Sequence, residues 1–279
     1  AMCRVRLQRA GHILGSALCV LDISEQVRSY RLLFTGDLGR RDMLVLRDPE
    51  FVRDVQTMII ESTYGNRLHG APREAELELA RVVNETVEHK GKLVIPAFSV
   101  GRTQEIVYAL HRLAVDKQIP IMPVYVDSPL AINATEVFRL HPDAFDEETE
   151  RFRLDYEDPF SFDNLRYVRK ASASRAIHKL RQPAIIISAS GMCESGRILR
   201  HLAATIGSRR NTILFVGFQA ENTLGARIKA GEKVVPILGK DYAVRARVEA
   251  IDGFSAHADR NELLDYAQQA NGKLRQVFI

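Results

Sequence analysis

Two histidines of this chain lie in sequence settings that suit catalysis. His12, in Ala-Gly-His-Ile-Leu-Gly-Ser, and His257, in Gly-Phe-Ser-Ala-His-Ala-Asp, each occupy a turn next to strand-like sequence. A turn fixed by a rigid scaffold can aim its side chain at a ligand. Asp37 lies in a comparable turn, Thr-Gly-Asp-Leu-Gly. A neutral imidazole and a carboxylate are ligands with which hydrolytic zinc sites lower the pKa of bound water. His12 and Asp37 therefore form a candidate metal pair, although Gly-Asp-Leu-Gly alone is more typical of an ordinary turn.

A second candidate pair joins Glu61, in Ile-Ile-Glu-Ser-Thr-Tyr-Gly, to His257. A carboxylate beside an imidazole favours the protonated ring and fixes its tautomer, which suits a histidine that donates a proton to a leaving oxygen. Sequence spacing alone does not establish the pair, because nearly two hundred residues separate its members. The other six of the eight histidines lie among charged residues, where solvent exposure is the expectation: His69, His89, His111, His141, His178 and His201.

A third set of candidates comes from turns that follow strand-like segments. Ligands bind at the carboxyl ends of parallel strands in α/β proteins, and small hydroxyl residues that open onto a helix suit a phosphate group. Arg102 adds a guanidinium group for the same ligand. Some of the serines are also expected to cap the helices that follow them. The predicted substrate-binding residues are Arg102, Ser128, Ser188, Ser190 and Gly191.

The elements that must position these residues change character along the chain. Segments 3–8, 17–23 and 30–35 alternate apolar and polar residues, which predicts an antiparallel meander. Later, continuous apolar runs such as 93–95 and 185–187 are separated by amphipathic helices, which indicates a parallel sheet covered on both faces. Segment 143–169 is charged and aromatic without a clear period, and we predict an irregular helical excursion there. A short helix, 261–270, and strand-like sequence at 277–279 follow His257.

Composition narrows the class of protein. The chain has 279 residues, 46% hydrophobic and 27% charged, which predicts a folded globular protein with two compact lobes. Its longest apolar runs fall far short of the roughly 20 residues of a membrane span. Three cysteines without CxxC spacing favour a reducing compartment, and we predict a cytoplasmic location. A net charge of +4 is only mildly basic and is weak support for nucleic-acid binding by itself.

Taken together and in order, the motifs resemble the β-CASP branch of the metallo-β-lactamase superfamily, the RNA-processing nucleases related to the cleavage and polyadenylation specificity factor endonuclease. The resemblance extends from Ala10 to Glu262. It depends on the conjunction of AGHILGSA, TGDLGR, IIESTYGN, IPAFSVGRTQE, DSPLA, SASGM, GFQAENTLGARI and GFSAHAD.

The resemblance implies a role for each candidate residue. His12 and Asp37 become metal ligands, with Asp37 bridging two zinc ions. Glu61 and His257 become the catalytic acidic residue and the general acid. Arg102, Ser188, Ser190 and Gly191 fall where the family lines its RNA groove.

The implied fold is α/β, with two lobes of different origin. A partial metallo-β-lactamase αββα sandwich lobe would comprise residues 1–65 and 253–279, and a parallel-sheet β-CASP lobe, residues 66–252, would be inserted into it. The family's HxHxDH signature, which ordinarily precedes the AGH motif, and its VHGE-like motif C, which ordinarily follows motif B, are absent from these residues. We therefore expect weak or absent zinc and little or no hydrolysis from this chain alone.

The predicted function of the full-length protein is that of a zinc-dependent RNA phosphodiesterase, an endonuclease and/or exonuclease in RNA processing or decay. Its expected partner is single-stranded RNA, with a homodimer possible. One alternative is a non-catalytic RNA-binding subunit of the same fold, and joint retention of the four candidate residues argues against it. A hydrolase of small molecules is the other alternative, and the inserted lobe makes it less favourable.

Overall fold

The computed structural model describes residues 2–25, 28–270 and 272–279, and the chain divides into two compact units. The first unit contains residues 1–69, 143–148 and 256–279, and the second contains 70–142 and 149–255. The strands of the whole chain are β1 Met2–Arg9, β2 Ala17–Glu25, β3 Arg28–Phe34, β4 Thr57–Ile59, β5 Lys92–Pro96, β6 Val124–Val126, β7 Leu165–Tyr167, β8 Ala184–Ser188, β9 Thr212–Phe215, β10 Val234–Ile237, β11 Lys240–Ala243, β12 Arg247–Ala250 and β13 Gln276–Phe278. Its helices are α1 Pro72–Glu88, α2 Arg102–Val115, α3 Pro129–Leu140, α4 Glu147–Tyr156, α5 Ala171–Ile177, α6 Ile198–Thr205, α7 Leu224–Lys229 and α8 Arg260–Gln268. Short 3₁₀ helices cover Pro142–Ala144 and Asp252–Phe254.

The first unit is built on a five-stranded sheet with the order β1-β2-β3-β4-β13. Strands β1, β2 and β3 form the predicted antiparallel meander, and β4 then runs parallel to β3. One face of this sheet is the core, where Leu18, Val20, Leu33 and Met58 are fully buried in a cluster that includes Tyr266 of α8. Successive side chains of a strand point to opposite faces of the sheet, so every second residue of these strands faces the core.

The opposite face of that sheet is apolar as well. A single row of side chains crosses all five strands in register, from Leu7 through Cys19, Phe34 and Ile59 to Phe278. Leu7, Phe34 and Phe278 are exposed, and the other two are partly buried. The sheet thus has two apolar faces, of which the face carrying this row is open to solvent within the unit.

The second unit contains a six-stranded, wholly parallel sheet with the order β12-β9-β5-β8-β6-β7. Leu93, Val94 and Ile95 of β5 and the isoleucines of β8 are fully buried, because helices cover both faces of a parallel sheet. The α/β fold class predicted from the sequence is confirmed. The prediction for segment 143–169 is incomplete, because this segment contains α4 but also the edge strand β7. With three residues, β7 is too short to show a strand period.

Backbone packing between the chain segments that enter β5 and β9 requires glycine at position 91. A Cβ atom there would lie 1.7 Å from the carbonyl oxygen of Arg210. Gly207, by contrast, has no atom within 4 Å of its Cβ position. We expect Gly91→Ala to lower the free energy of unfolding by about 3 kcal/mol, because the strands must separate to admit the methyl group. Gly207→Ala is the matched control, with an expected change within about 0.5 kcal/mol. Urea unfolding of both variants measures the difference, and equal midpoints would contradict the packing described.

Candidate active site

The parallel strands β3 and β4 of the first unit end at the same edge of the sheet, and the candidate carboxylates follow them there. Phe34 pairs with Ile59 at the ends of β3 and β4, and the backbone N–H of Thr35 donates to the carbonyl of Ile59 at 3.0 Å. Asp37 follows β3 and Glu61 follows β4. The carboxyl ends of neighbouring parallel strands meet at the same edge, which is why residues distant in sequence become neighbours here.

The loop between β1 and β2 holds His12. The hydroxyl of Ser16 accepts hydrogen bonds from the backbone N–H groups of His12 and Ile13 at 3.1 and 3.2 Å. The loop also packs against the Asp37 turn so closely that a Cβ atom on Gly39 would lie 2.2 Å from the carbonyl carbon of Gly11. Gly11 itself has a φ of +72°, which side chains rarely adopt. The glycines of the two motifs therefore allow the His12 loop and the Asp37 turn to dock backbone to backbone.

His257 reaches the same place from the segment that begins α8. It forms an isolated antiparallel bridge with Gly39, and the N–H of Ala258 donates to the carbonyl of Leu38 at 2.9 Å. Asp259 then caps α8, since its side chain accepts from the backbone of Glu262 while the Glu262 carboxylate accepts from the backbone of Asp259. This capping box fixes where the helix starts and hence where His257 points.

Glu61 and His257 form the predicted pair. Nδ1 of His257 donates to both carboxylate oxygens of Glu61, at 3.0 and 3.1 Å, and the backbone N–H of Leu38 donates to Oε1 at 2.5 Å. Burial alone would raise the pKa of Glu61, but the hydrogen bonds from His257, Thr63 and Leu38 hold it below its usual range. An ionised Glu61 fixes the proton of His257 on Nδ1, so that Nε2 is left for chemistry.

His12, Asp37 and His257 together have the geometry of a metal site. Nε2 of His12 lies 3.8 Å from Oδ2 of Asp37, and one ligand atom of His257 lies within 4.8 Å of both. Zinc–ligand bonds of about 2.0–2.2 Å place tetrahedral ligand atoms roughly 3.3–3.6 Å apart, so these donors fit one shared ion after a small adjustment. Burial, and then the neighbouring His257, lower the pKa of His12, which keeps it in the neutral form that binds metal. Among the residues described, this is the one cluster of three such ligands, and its third member was predicted only as a catalytic acid.

The predicted substrate-binding residues lie in the second unit, at the carboxyl ends of its strands, where most of their polar groups already have protein partners. Ser128 accepts from the N–H of Ala131 and caps α3, as the alternative role for the serines predicted. Ser188 donates to the carbonyl of Asp127 at 2.8 Å and is buried. Their binding role remains a prediction.

The remaining three members of that set lie close by. Ser190 accepts from the N–H groups of Glu194 and Ser195 and keeps part of its surface exposed, while Gly191 is buried. Arg102 is buried, and its Nη1 donates to Glu105 at 2.5 Å. The guanidinium group expected to bind phosphate therefore already has a carboxylate partner.

The expectation of solvent exposure is wrong for two histidines. His111 is 6% exposed because α2 is covered by the rings of Phe152 and Phe162. His201 is fully buried, and its Nε2 lies 2.7 Å from the carboxylate of Asp127, which is fully buried as well. Sequence reasoning missed this pair, because the polar residues around each histidine indicate a solvated helix and only the tertiary packing buries them.

Comparison with known proteins identifies the family. Residues 103–228 match the Beta-Casp domain, and residues 241–279, which include His257, match the Zn-dependent metallo-hydrolase RNA specificity domain. The chain belongs to the β-CASP family of the metallo-β-lactamase superfamily. The resemblance drawn from the motifs is confirmed.

The known proteins similar to this chain are longer than the region that aligns with it. The chain is 37% identical over 271 residues to ribonuclease TTHA0252 of Thermus thermophilus, a match that covers 97% of this chain and 61% of that protein. It is 34% identical over 286 residues to transcription termination factor FttA of Methanosarcina mazei and of Methanocaldococcus jannaschii, covering 99% of this chain and 44% of each relative. The chain thus spans between about two-fifths and three-fifths of the relatives it matches. None of the helices in the described ranges is long and apolar enough to cross a membrane.

Proposed function

We propose that the protein containing this β-CASP chain is a zinc-dependent RNA phosphodiesterase. The observation that carries the proposal is the bidentate Glu61–His257 pair beside the His12–Asp37 pair, in one unit and at one sheet edge. Ribonuclease TTHA0252 and the RNA specificity domain support RNA as the substrate. A non-catalytic RNA-binding subunit would have no use for the Glu61–His257 pair, which makes that alternative less favourable.

In this unit, one pair of side chains would bind the metal ion and another would transfer the proton. His12 and Asp37 would hold zinc, whereas His257, although it lies near both, would keep its Nε2 for proton transfer. Zinc bound there would supply a Lewis acid and lower the pKa of a bound water. Glu61, kept ionised by its hydrogen bonds, orients the imidazole of His257. Nε2 of His257 is then placed to hold a proton for the departing oxygen of the phosphodiester.

Chelator-sensitive cleavage of single-stranded RNA tests this proposal. From these 279 residues alone we expect weak zinc binding and little hydrolysis, because the ligands described are few. A protein that also carries the family's HxHxDH and motif C segments is expected to cleave, to lose activity with EDTA and to regain it with zinc. In that protein His12→Ala should raise the zinc concentration for half-maximal rate by at least about tenfold.

His141→Ala is the matched control, since His141 is exposed and lies outside the ligand cluster. Its zinc requirement should equal that of the unsubstituted protein. Cleavage that persists at full rate in EDTA would overturn the metal mechanism. An unchanged zinc requirement in His12→Ala would remove His12 from the metal site.

A further inference from the structure

Two phenylalanine rings are exposed at the carboxyl edge of the parallel sheet in the second unit. Phe98 follows β5 and is 44% exposed, and Phe218 follows β9 and is 36% exposed. The two strands are neighbours, with Leu93 opposite Thr212 and Val94 opposite Ile213. Phe98 and Phe218 therefore leave adjacent strands at nearly the same level, on the edge where α/β proteins bind ligands.

The ring of Phe98 packs against the backbone of the neighbouring β8 loop. A Cβ atom on Gly191 would lie only 3.0 and 3.1 Å from Cδ2 and Cε2 of that ring. Gly191 is itself buried beneath it. The absence of a side chain at position 191 is what lets the ring settle against the loop while nearly half of Phe98 stays open to solvent.

One amide group links the supports of both rings. Nε2 of Gln219 donates to the carbonyl of Gly191 at 3.0 Å and to the carbonyl of Phe218 at 2.9 Å. The Gln219 side chain is confined in turn, because a Cβ atom on Gly225 would lie 1.8 Å from its Oε1. The backbone beside both rings is thus held in place, so that little backbone entropy is lost when a ligand contacts the rings.

Most polar groups around the rings already have protein partners, and the exception described, Oε1 of Gln219, is buried. Arg102 is paired with Glu105, and the hydroxyl of Ser190 accepts from two backbone N–H groups. A ligand at this edge would therefore gain mainly from the flat apolar surfaces of Phe98 and Phe218. Nucleobases have matching flat surfaces, and every base stacks on an aromatic ring whatever its identity.

We propose that Phe98 and Phe218 form a stacking platform for bases of single-stranded RNA, which rests on the proposed function and adds a subsite to it. The platform selects unpaired over paired strands, because only unstacked bases can lie on the rings. It does so without preference for sequence, since stacking accepts every base and the one unpartnered acceptor described beside the rings, Oε1 of Gln219, is buried away from a base edge.

A tryptophan at position 98 would report stacking directly, because the chain contains no tryptophan. We expect the fluorescence of Phe98→Trp to be quenched by a single-stranded decauridylate, in EDTA so that cleavage does not interfere. The same oligomer with abasic positions should quench little. Leu154→Trp, at an exposed apolar position of α4, is the control and should not respond.

Affinity supplies the second readout. Phe98→Ala should weaken decauridylate binding by about 5- to 100-fold, whereas Phe98→Tyr and Leu154→Ala should leave it within about twofold. Gly225→Ala, which displaces Gln219, should weaken binding with both rings present. Circular dichroism would show that each variant is folded.

Each remaining outcome overturns the platform in a distinguishable way. If the unsubstituted protein binds RNA and Phe98→Ala binds equally well, the platform is wrong and the proposed function stands. If the unsubstituted protein binds no RNA, the proposed function fails with it. If Phe98→Ala instead changes the sedimentation coefficient to that of a smaller assembly, the rings belong to a protein interface.

Discussion

In the protein that also carries the HxHxDH and motif C segments, replacement of His257 by alanine is expected to lower the rate of RNA hydrolysis by about 10²- to 10⁴-fold at saturating zinc. The reason is that Glu61 holds the Nδ1 proton of His257 through contacts of 3.0 and 3.1 Å, which leaves Nε2 to supply the proton that the leaving oxygen needs. Glu61→Gln should cause a smaller loss, because an amide offers one oxygen instead of two to Nδ1 of His257 and orients the imidazole less firmly. The measurement is single-turnover cleavage of RNA as a function of pH.

A substrate with an activated leaving group separates proton donation from metal binding. A nitrophenyl nucleotide ester needs little protonation of its leaving oxygen, so His257→Ala should cleave it at nearly the normal rate. The same variant should bind zinc almost as tightly as the unsubstituted protein. Equal losses on both substrates, together with weaker zinc binding, would contradict the role of general acid. They would assign His257 to the metal with His12 and Asp37, which the short distances among the three also allow.

Replacement of Asp127 by alanine is expected to lower the free energy of unfolding of the second unit by about 3–5 kcal/mol. The carboxylate is fully buried, with Nη1 of Arg197 at 2.6 Å from Oδ1, and Nε2 of His201 and the hydroxyl of Ser174 at 2.7 and 2.5 Å from Oδ2. Removing it leaves the buried donors of His201 and Ser174 without this acceptor and takes the carboxylate partner from Arg197, which keeps only the carbonyls of Val168 and Arg169. Glu232→Ala is the control, because its ion pair with Arg227 is exposed to solvent and its loss should leave the unfolding midpoint almost unchanged.

Acid unfolding gives the same carboxylate a second test. Burial alone would raise the pKa of Asp127, but the hydrogen bonds from His201, Ser174 and Arg197 outweigh it and hold the pKa below its usual value. A lowered pKa in the folded state contributes stability above the unfolded value, near about pH 4, and loses it as the pH falls through the folded value. Asp127→Asn should therefore be less stable at neutral pH and show a flatter decline below about pH 4. A decline identical to that of the unsubstituted protein would contradict the role given to this carboxylate.

The local patterns predicted most of the elements but not the contacts between them. The period of two identified the meander, and the Gly-containing turns identified Asp37 and His12. Nothing local could join Glu61 to His257 across 196 residues, because the contact depends on the parallel register of β3 and β4 and on the bridge between Gly39 and His257. The resemblance assigned the pair because it carries the tertiary arrangement of a whole family.

Burial of polar residues was the least predictable property. Asp127 follows a short strand and His201 lies in a helix with charged neighbours, so both resemble surface residues in sequence. Conversely, Phe98 is the type of residue expected in a core, and it is exposed because its strand ends at the sheet edge. Exposure is decided by which elements cover a position, and that information is spread over the whole chain.

The apolar row on the open face of the first sheet ends close to the candidate active site. Phe34 and Ile59 close β3 and β4, and Asp37 and Glu61 follow them by three and two residues along the chain. Water against this row would raise the local dielectric around the ends of both strands and weaken the charge interactions made there. A layer that covered the row would lower that dielectric and strengthen the hold of the carboxylates on a cation and on the imidazole of His257. Whatever covers this face in the longer protein would thus influence the electrostatics of the site.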